Sequence, residues 1–215
     1  MAAIIRFDAV SVTVQDKNLL SEVSFTLQAG EKAVLCGTSG SGKSTVLKTL
    51  LGMHRLAAGG IYFNGRPLNS KTVQSIRRCT AYIGQEPILG ADTVRNALLL
   101  PFQFKAHRHL RPPESRLKGV LQRLRLPAEL LSRDCAGISG GEKQRLALAR
   151  GLLLEKTVYL LDEVTSALDA ESKQAVFEVF ADPQLTLLAV AHDPDWLERS
   201  PTVFEMHAGR LTRTR

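Results

Sequence analysis

The sequence has little cysteine and no long apolar run, and both shortages exclude whole classes of protein. Its three cysteines among 215 residues are far apart and form no CxxC pair. This argues against a disulfide framework or a zinc site and indicates a reducing compartment, in which each cysteine is expected to be a small buried apolar residue. The longest apolar stretches, such as residues 97–102, fall far short of the roughly 20 residues that span a bilayer. If the chain serves a pore, we expect another subunit to supply it.

The rest of the composition is that of a globular protein, with 44% hydrophobic and 23% charged residues. The N-terminus alternates like a strand and lacks the basic and then apolar pattern of a signal peptide. No internal repeat, low-complexity tract or linker marks a second independent domain. A chain of this length can bury a real core, so we expect a single domain over residues 1–215.

Acidic residues are scarce in residues 105–125, the basic segment, which holds seven basic residues and one acid. Most of the net charge of +7 therefore lies there. A solvated helical face is the simplest interpretation. A surface near anionic headgroups or an acidic partner is the alternative. Nucleic acid is not expected as a partner, because no aromatic residue is interleaved after Phe104 and no nucleic-acid-binding motif is present.

Strand-like and helix-like segments alternate over most of the chain, which predicts an α/β core with a parallel sheet. The predicted strands are residues 4–14, 23–28, 33–36, 61–63, 79–83, 157–162, 186–191 and 202–207, and the predicted helices are 43–51, 141–154, 171–181 and 194–199. Residues 93–132 are rich in Leu and Arg, are interrupted by prolines and predict several short helices. We expect a core at about residues 1–85 and 141–215, with a helical insert at about residues 86–140.

The most specific local pattern is a glycine-rich loop between a predicted strand and a predicted helix. It reads GTSGSGKS from Gly37 to Ser44 and fits the phosphate-binding P-loop pattern GxxxxGK[ST]. Small residues let successive backbone N–H groups point at a phosphate, and the positive end of the following helix adds attraction. We expect Lys43 to reach the β- and γ-phosphates and the Ser44 hydroxyl to bind Mg²⁺. The candidate phosphate-binding residues are Gly37, Thr38, Ser39, Gly40, Ser41, Gly42, Lys43, Ser44 and Thr45.

Two adjacent acids, Asp162 and Glu163, follow the apolar residues 158–161. Carboxylates at the end of an apolar strand are costly unless they have a task there. Next to a P-loop, Asp162 suits a direct or outer-sphere Mg²⁺ contact, and Glu163 suits polarising the attacking water.

A second glycine-rich helix start reads ISGGEKQR from Ile138 to Arg145. A hydroxyl and two glycines at a helix N-terminus can form another anion site. A plain capping turn is the alternative interpretation of the same residues.

Taken in order, these elements resemble the ATP-binding subunits of ABC transporters, whose signature is usually leucine-serine-glycine-glycine-glutamine. The same resemblance matches Gln85 with the Q-loop, residues 166–169 with the D-loop and His192 with the switch histidine that contacts the γ-phosphate. It covers nearly the whole chain, and these elements in this order are far more specific than one motif. It implies an α/β P-loop NTPase core of the ABC ATPase type, with an N-terminal antiparallel β subdomain and a helical insert.

The resemblance also implies how the chain works. ATP and Mg²⁺ are the expected cofactors, with Ser44, Gln85 and Asp162 at the metal and Glu163 and His192 in catalysis. Two subunits of this family pack head to tail around ATP, and closure and release of that pair drive the membrane subunits. The residues expected to act on the partner's nucleotide are Ser139, Gly140, Gly141 and Glu142. The expected partners are a second copy and an integral membrane permease, at the cytoplasmic face of the inner membrane.

Three positions depart from the family pattern. Ile138 replaces the usual leucine, and Glu142 replaces the usual glutamine with a change of charge. The aromatic residue that commonly stacks on adenine is missing, since its place falls near Val14. We therefore expect adenine to be held by apolar contact, which gives up about 1–2 kcal/mol.

Two other functions compete with this interpretation. Non-transport ATPases of the same superfamily act in DNA repair or on ribosomes, but they usually carry two cassettes or a long coiled-coil insertion. A P-loop phosphotransferase would lack the SGGEKQR stretch and would need an acceptor site.

The segment from Gln85 to Gln103 bears on the cargo. It resembles the Q-loop region of bacterial ABC ATPases assigned to iron export and resistance to oxidative stress. The resemblance implies efflux of iron or a similar metal, and a shared coupling geometry with a different cargo is the alternative. No metal-ligand cluster is expected in this chain, because a transported metal would pass through the membrane subunit.

Overall fold

The computed structural model describes residues 3–215, and Met1 and Ala2, which the predicted domain includes, lie outside the described residues. The strands are β1 (Ala3–Val14), β2 (Lys17–Gln28), β3 (Lys32–Cys36), β4 (Ala58–Phe63), β5 (Arg66–Pro67), β6 (Thr80–Ile83), β7 (Val158–Asp162), β8 (Thr186–Val190), β9 (Thr202–His207) and β10 (Arg210–Arg213). The helices are α1 (Lys43–Leu50), α2 (Val73–Cys79), α3 (Val94–Leu99), α4 (Glu114–Arg123), α5 (Gly140–Leu153), α6 (Ala170–Phe180) and α7 (Pro194–Arg199). Four short 3₁₀ turns occupy Leu100–Gln103, Arg108–Leu110, Ala128–Ser132 and Cys135–Gly137.

An antiparallel sheet of four strands, in the order β2-β1-β4-β5, forms the N-terminal part of the fold. Its longest hairpin joins β1 to β2 through Gln15 and Asp16, both of which have positive φ. Apolar side chains alternate along both strands and face one side, where Phe7 stacks on Phe25 with ring centroids 4.6 Å apart. The predicted antiparallel β subdomain is therefore confirmed.

The second sheet has six strands in the order β10-β9-β3-β8-β7-β6. Strands β9, β3, β8 and β7 run parallel to one another, and β10 closes the edge by antiparallel pairing with β9. Every residue of β7 and β8 is buried, as expected for parallel strands covered on both faces. The predicted α/β fold with a parallel sheet is confirmed, and the carboxyl ends of the parallel strands lie at one edge of the sheet.

The chain forms two compact units. The first contains the described residues up to Ala81, Thr157–Glu163 and Pro183–Arg215. The second contains Tyr82–Lys156 and Val164–Asp182. Within the second unit α5 packs against α3 and α4, and its apolar residues, such as Leu146 and Leu148, are fully buried.

The sequence patterns missed α2, β5 and β10 of the first unit and shortened β2 and β4. Helix α2 buries only Ile76, so it shows no apolar period. Strand β10 is mostly exposed and follows a tight turn in which Ala208 and Gly209 have positive φ. Strand β2 begins at Lys17 and not at residue 23, because its first half pairs with β1 through polar and partly exposed residues.

The expectation that all three cysteines are buried is wrong. Cys79 is exposed at the end of α2, and Cys36 and Cys135 are partly exposed. Burial, reinforced by the Glu205 carboxylate, still raises the pKa of the Cys36 thiol. The number and spacing of cysteines indicate their redox state but carry no information on their depth, which depends on where each strand or helix ends.

Candidate functional site

The edge of the parallel sheet assembles the first set of candidate residues. The glycine-rich loop leaves the end of β3, Asp162 ends β7 with Glu163 directly after it, and His192 follows β8 by two residues. Since these three strands are neighbours in the sheet, their carboxyl ends bring the loop, the acids and the histidine together. All of them belong to the first compact unit.

The loop conformation depends on glycine at two positions. Gly37 has a φ of 128° and Gly42 a φ of 106°, both in the left-handed region. A Cβ at Gly37 would lie 2.1 Å from the Met206 carbonyl oxygen, and one at Gly42 would lie 2.8 Å from the Leu19 carbonyl oxygen. Gly37 and Gly42 are therefore in close contact with the backbone of Met206 and Leu19, while residues 38–40 are exposed at the tip of the loop.

Lys43 opens α1 and is only 5% exposed. Its Nζ donates to the carbonyl oxygens of Gly37 and Thr38, at 2.9 and 2.8 Å. The ammonium group thus lies against the loop backbone, where an anion bound in the loop would meet it. Gly42, the N-cap of α1, has no side chain with which to form a cap hydrogen bond, so the helix start lacks a side-chain cap.

Ser44 and Asp162 meet although 118 residues separate them. Ser44 Oγ donates to Asp162 Oδ1 at 2.7 Å, and Asp162 is buried. A hydroxyl and a carboxylate in contact supply the hard oxygen ligands that Mg²⁺ prefers. Ser41 Oγ, also in the loop, is buried without a hydrogen-bond partner in the described part of the chain, whereas Thr45 is partly exposed on α1.

Glu163 and His192 form a second contact at this edge. His192 Nε2 lies 3.5 Å from Glu163 Oε1, and both side chains are partly exposed. Glu163 has a φ of 54°, and its N–H donates to the Val190 carbonyl oxygen at 3.0 Å. A left-handed backbone at a residue other than glycine costs about 1–3 kcal/mol and persists only where the surrounding structure holds it.

The second unit holds Gln85 and the signature residues. The Gln144 amide donates to the Gln85 carbonyl oxygen, and the Arg150 guanidinium donates to the carbonyl oxygens of Ile88 and Leu89 at 2.8 and 2.9 Å. Burial lowers the pKa of Arg150. Helix α5 therefore fixes the backbone of residues 85–89, which carries Gln85.

Gln144 and Arg150 were not recognised as supports of the candidate site. Their six-residue spacing on α5 carries no motif of its own. For Arg150 the usable signal was a long polar side chain among the apolar residues 146–153, whereas Gln144 lies in the polar first turns of α5 and gave no such signal.

The signature residues begin α5 with a complete capping box. The Glu142 N–H donates to Ser139 Oγ at 3.2 Å, and the Ser139 N–H donates to Glu142 Oε2 at 2.8 Å. The Ser139 hydroxyl also donates to Glu142 Oε2 at 2.7 Å. Hydrogen bonds from the hydroxyl and then the backbone of Ser139 lower the pKa of the Glu142 carboxyl group. Ser139 and Gly140 are exposed, so this helix start faces solvent while it caps itself.

The D-loop residues pack directly beside the signature within this unit. A Cβ at Gly141 would lie 3.2 Å from both the Ala167 carbonyl oxygen and Leu168 Cδ2. Asp169 caps α6 by accepting from the Ser172 N–H at 2.7 Å, and this hydrogen bond lowers the pKa of the Asp169 carboxyl group. The second unit thus brings Gly141 against residues 167–168.

Comparison with known proteins identifies one family. The model of the ABC transporter family matches residues 20–166. The probable iron export ATP-binding protein FetA of Escherichia coli (strain K12) is 33% identical over 218 residues, covering 99% of this chain and 96% of that protein. The energy-coupling factor transporter ATP-binding protein EcfA1 of Enterococcus faecalis is 34% identical over 200 residues, covering 90% and 71%.

Solved structures agree with these sequence relatives. A bacterial Atm1-family ABC exporter with ATP bound superposes with a TM-score of 0.86 at 25% identity. The match covers 99% of this chain and 38% of the exporter chain, so the chain spans well under half of that protein.

Proposed function

The chain belongs to the ATP-binding subunits of the ABC transporter family, and we propose that its ATP hydrolysis powers efflux of iron, or of a similar transition metal, through a separate membrane subunit. Family membership itself means that the chain binds ATP and that its hydrolysis is coupled to transport with a membrane partner. The metal cargo is the part that we add.

One observation carries the cargo proposal. The relative named as a probable iron export protein aligns over 99% of this chain and 96% of its own length. The segment from Gln85 to Gln103, which resembles the same subgroup, begins on backbone carbonyls held by α5. A segment whose first residues are held in this way is suited to recognising a particular membrane subunit, and we do not expect it to touch the cargo.

We propose that the loop from Gly37 to Thr45 holds the triphosphate. The support is a helix start without a side-chain cap and a buried ammonium group on two loop carbonyls. Adenine would lie near Val14, whose side chain is 41% exposed at the end of β1 and offers apolar contact without stacking.

Mg²⁺ fits the oxygen pair of Ser44 and Asp162, with Gln85 proposed as a further ligand. Bound there, the ion would neutralise charge on the phosphates. The chain's own contribution is to hold the Ser44 hydroxyl, at the start of α1, against the Asp162 carboxylate, at the end of β7.

Glu163 is proposed to orient and polarise the attacking water, with His192 at the γ-phosphate. The contact of 3.5 Å between their side chains places a carboxylate and an imidazole side by side at the sheet edge. The bond from the Glu163 N–H to the Val190 carbonyl oxygen fixes the left-handed backbone from which this carboxylate extends.

Two copies are proposed to pack head to tail, so that Ser139, Gly140, Gly141 and Glu142 act on the nucleotide held by the other copy. The exposed start of α5 supports this, because its serine and first glycine are open to a ligand from outside the chain. We also propose the core at about residues 1–85 and 141–215, the helical subdomain at about residues 86–140, and a position at the cytoplasmic face of the membrane. Among the helices of residues 3–215, none has the length and apolarity needed to cross a bilayer.

The cargo is tested by deleting this gene and that of its membrane partner, loading the cells with iron, and measuring intracellular iron and peroxide sensitivity. If the pair exports metal, the deletion strain should contain more iron and be more sensitive to peroxide than wild-type cells. Expression of the wild-type pair should reverse both changes, whereas a pair carrying Glu163→Gln should reverse neither. Unchanged iron and sensitivity, with the subunit expressed, would reject the cargo and leave the ATPase function intact.

The catalytic proposal is tested with Glu163→Gln and, as its matched control, Glu155→Gln. Glu155 is an exposed glutamate with the same φ of 54°, so both variants lose one carboxylate from a left-handed backbone. Glu163→Gln should retain ATP binding and lose about 10²–10⁴-fold in hydrolysis, whereas Glu155→Gln should hydrolyse ATP normally. Near-normal phosphate release by Glu163→Gln would exclude the role.

The head-to-tail pair is tested by mixing a Ser139→Ala subunit with a Lys43→Ala subunit, each inactive alone. A mixed dimer contains one intact composite site and one doubly broken site, so hydrolysis should rise above both parents. If it does not rise, cross-linking of the mixed dimer separates strict coupling of the two sites from a wrong arrangement.

A further inference from the structure

The basic segment divides into paired and unpaired cations, which the sequence alone could not separate. The pairs are Arg116 with Glu155 at 2.7 Å, Lys118 with Glu114 at 4.0 Å, and Arg125 with Glu178 at 3.1 Å. All three pairs are largely exposed and neutralise charge on and around α4. The segment is therefore not uniformly basic.

Three of the four unpaired cations precede α4 in the chain. Lys105, Arg108 and Arg111 are exposed and have no carboxylate partner among residues 3–215. The only other such cation of the segment, Arg123, lies apart on α4. No acid occurs between Asp92 and Glu114, so nothing in the local sequence offsets these charges.

An exposed aromatic side chain adjoins these cations. Phe104 is 62% exposed, although Phe102, two residues earlier, is buried. The backbone turns twice here, since the N–H groups of residues 107 and 108 both donate to the Phe104 carbonyl oxygen. We call Phe104, Lys105, Arg108 and Arg111 the headgroup face.

We propose that the headgroup face binds the surface of a membrane containing anionic phospholipids. Lysine and arginine beside an exposed aromatic ring match a layer with phosphates at its surface and acyl chains beneath. The residues lie on short consecutive turns, so the contact depends on charge and partial insertion and not on a shaped groove. An acidic protein surface would match the same charges and could also cover an exposed aromatic ring, so the vesicle and copurification assays below separate it from a lipid surface.

The test is flotation of the purified chain with vesicles of phosphatidylcholine alone or of phosphatidylcholine and phosphatidylglycerol in equal parts. Wild type should bind the anionic vesicles, bind neutral vesicles weakly, and be released by salt. The variant Lys105→Gln/Arg108→Gln/Arg111→Gln should bind anionic vesicles about 100-fold more weakly, since each basic residue near such a surface contributes roughly five-fold.

A matched control removes three positive charges from the paired set, as Arg116→Gln/Lys118→Gln/Arg125→Gln. Both triple variants have the same net charge, so a local binding face predicts a large loss only for the first, and an equal loss in both would overturn the proposal. Phe104→Ala should weaken binding about five-fold, whereas Met53→Ala, at another exposed apolar side chain, should not. Thermal melts of each variant show that it is folded.

Two other results would overturn the proposal. The first is that the wild-type chain does not bind anionic vesicles. The second is that a headgroup-face variant still binds vesicles but no longer copurifies with the membrane subunit. The second result would assign the face to protein docking. The vesicle assay measures neither ATP hydrolysis nor transport, so its failure leaves the proposed function untouched.

Discussion

Two helix starts in this chain look alike in sequence and differ in structure. Before α1 the N-cap Gly42 has left-handed φ, offers no side chain and is tight against the Leu19 carbonyl. Before α5 the N-cap Ser139 is extended and forms a full capping box with Glu142, while a Cβ at Gly140 would meet nothing within 4 Å. The first start is rigid and leaves its N–H groups for a ligand, whereas the second is open and caps itself.

This difference indicates how each start would use a phosphate. At α1 the anion adds to a preformed site, where a buried ammonium group already lies. At α5 the Ser139 hydroxyl donates to Glu142 and must exchange that bond for any bond to a phosphate. We expect binding to begin at the first start and to reach the second only as two subunits close.

Lys43→Ala is expected to give the largest effect, because it removes the cation from the preformed site. Nucleotide affinity should fall about 100-fold, as expected for loss of a charge-assisted hydrogen bond to a desolvated phosphate. Titration with a fluorescent ATP analogue measures it. Lys48→Ala, later on the same helix, is the control and should bind normally. Equal affinity in wild type and Lys43→Ala would remove the distinction between the two helix starts.

Gly42→Ala and Gly140→Ala compare the two starts directly. The first should lower the free energy of unfolding by about 1–3 kcal/mol, because the new Cβ meets a carbonyl oxygen at a φ of 106°. The second should leave stability unchanged or slightly higher, since its Cβ enters open space. Urea unfolding of both variants is the measurement. A large loss in Gly140→Ala would show that the second start is also rigid.

Ser139→Ala should cost about 1 kcal/mol of stability, because it removes the side-chain cap of α5. Its effect should not add to that of Glu142→Ala, since both substitutions break the same capping box. A double-mutant cycle of unfolding free energies measures the coupling. Full additivity would mean that the two side chains act independently.

The smallest effect concerns pH. The folded-state pKa of Glu142 is lowered by its bonds to Ser139, so the carboxylate stabilises the fold above its unfolded-state pKa. This contribution is lost as the pH falls through the folded-state pKa. The stability gap between wild type and Glu142→Gln, expected to be a few tenths of a kcal/mol at neutral pH, should therefore narrow in acid. Urea unfolding at neutral and acidic pH would show it, and a gap that widens in acid would contradict it.

The sequence by itself determined the parallel α/β core, the antiparallel N-terminal strands and the order of the candidate residues. Apolar runs of strand length and the glycine-rich loop before Lys43 are local patterns, and their spacing fixes which strand ends carry chemistry. Helix α2 and strand β10 were not predicted, because a short polar helix and an exposed edge strand bury too little to leave a period.

Only the tertiary structure decided which polar groups meet. The hydrogen bond between Ser44 and Asp162 joins residues 118 positions apart, and the hydrogen bond from Gln144 to the Gln85 backbone joins residues 59 apart. It also separated the paired from the unpaired cations of the basic segment, and it placed Cys79 at an exposed helix end. Composition and periodicity report which face of an element is apolar, whereas partners distant in sequence are fixed only when the strands and helices pack together.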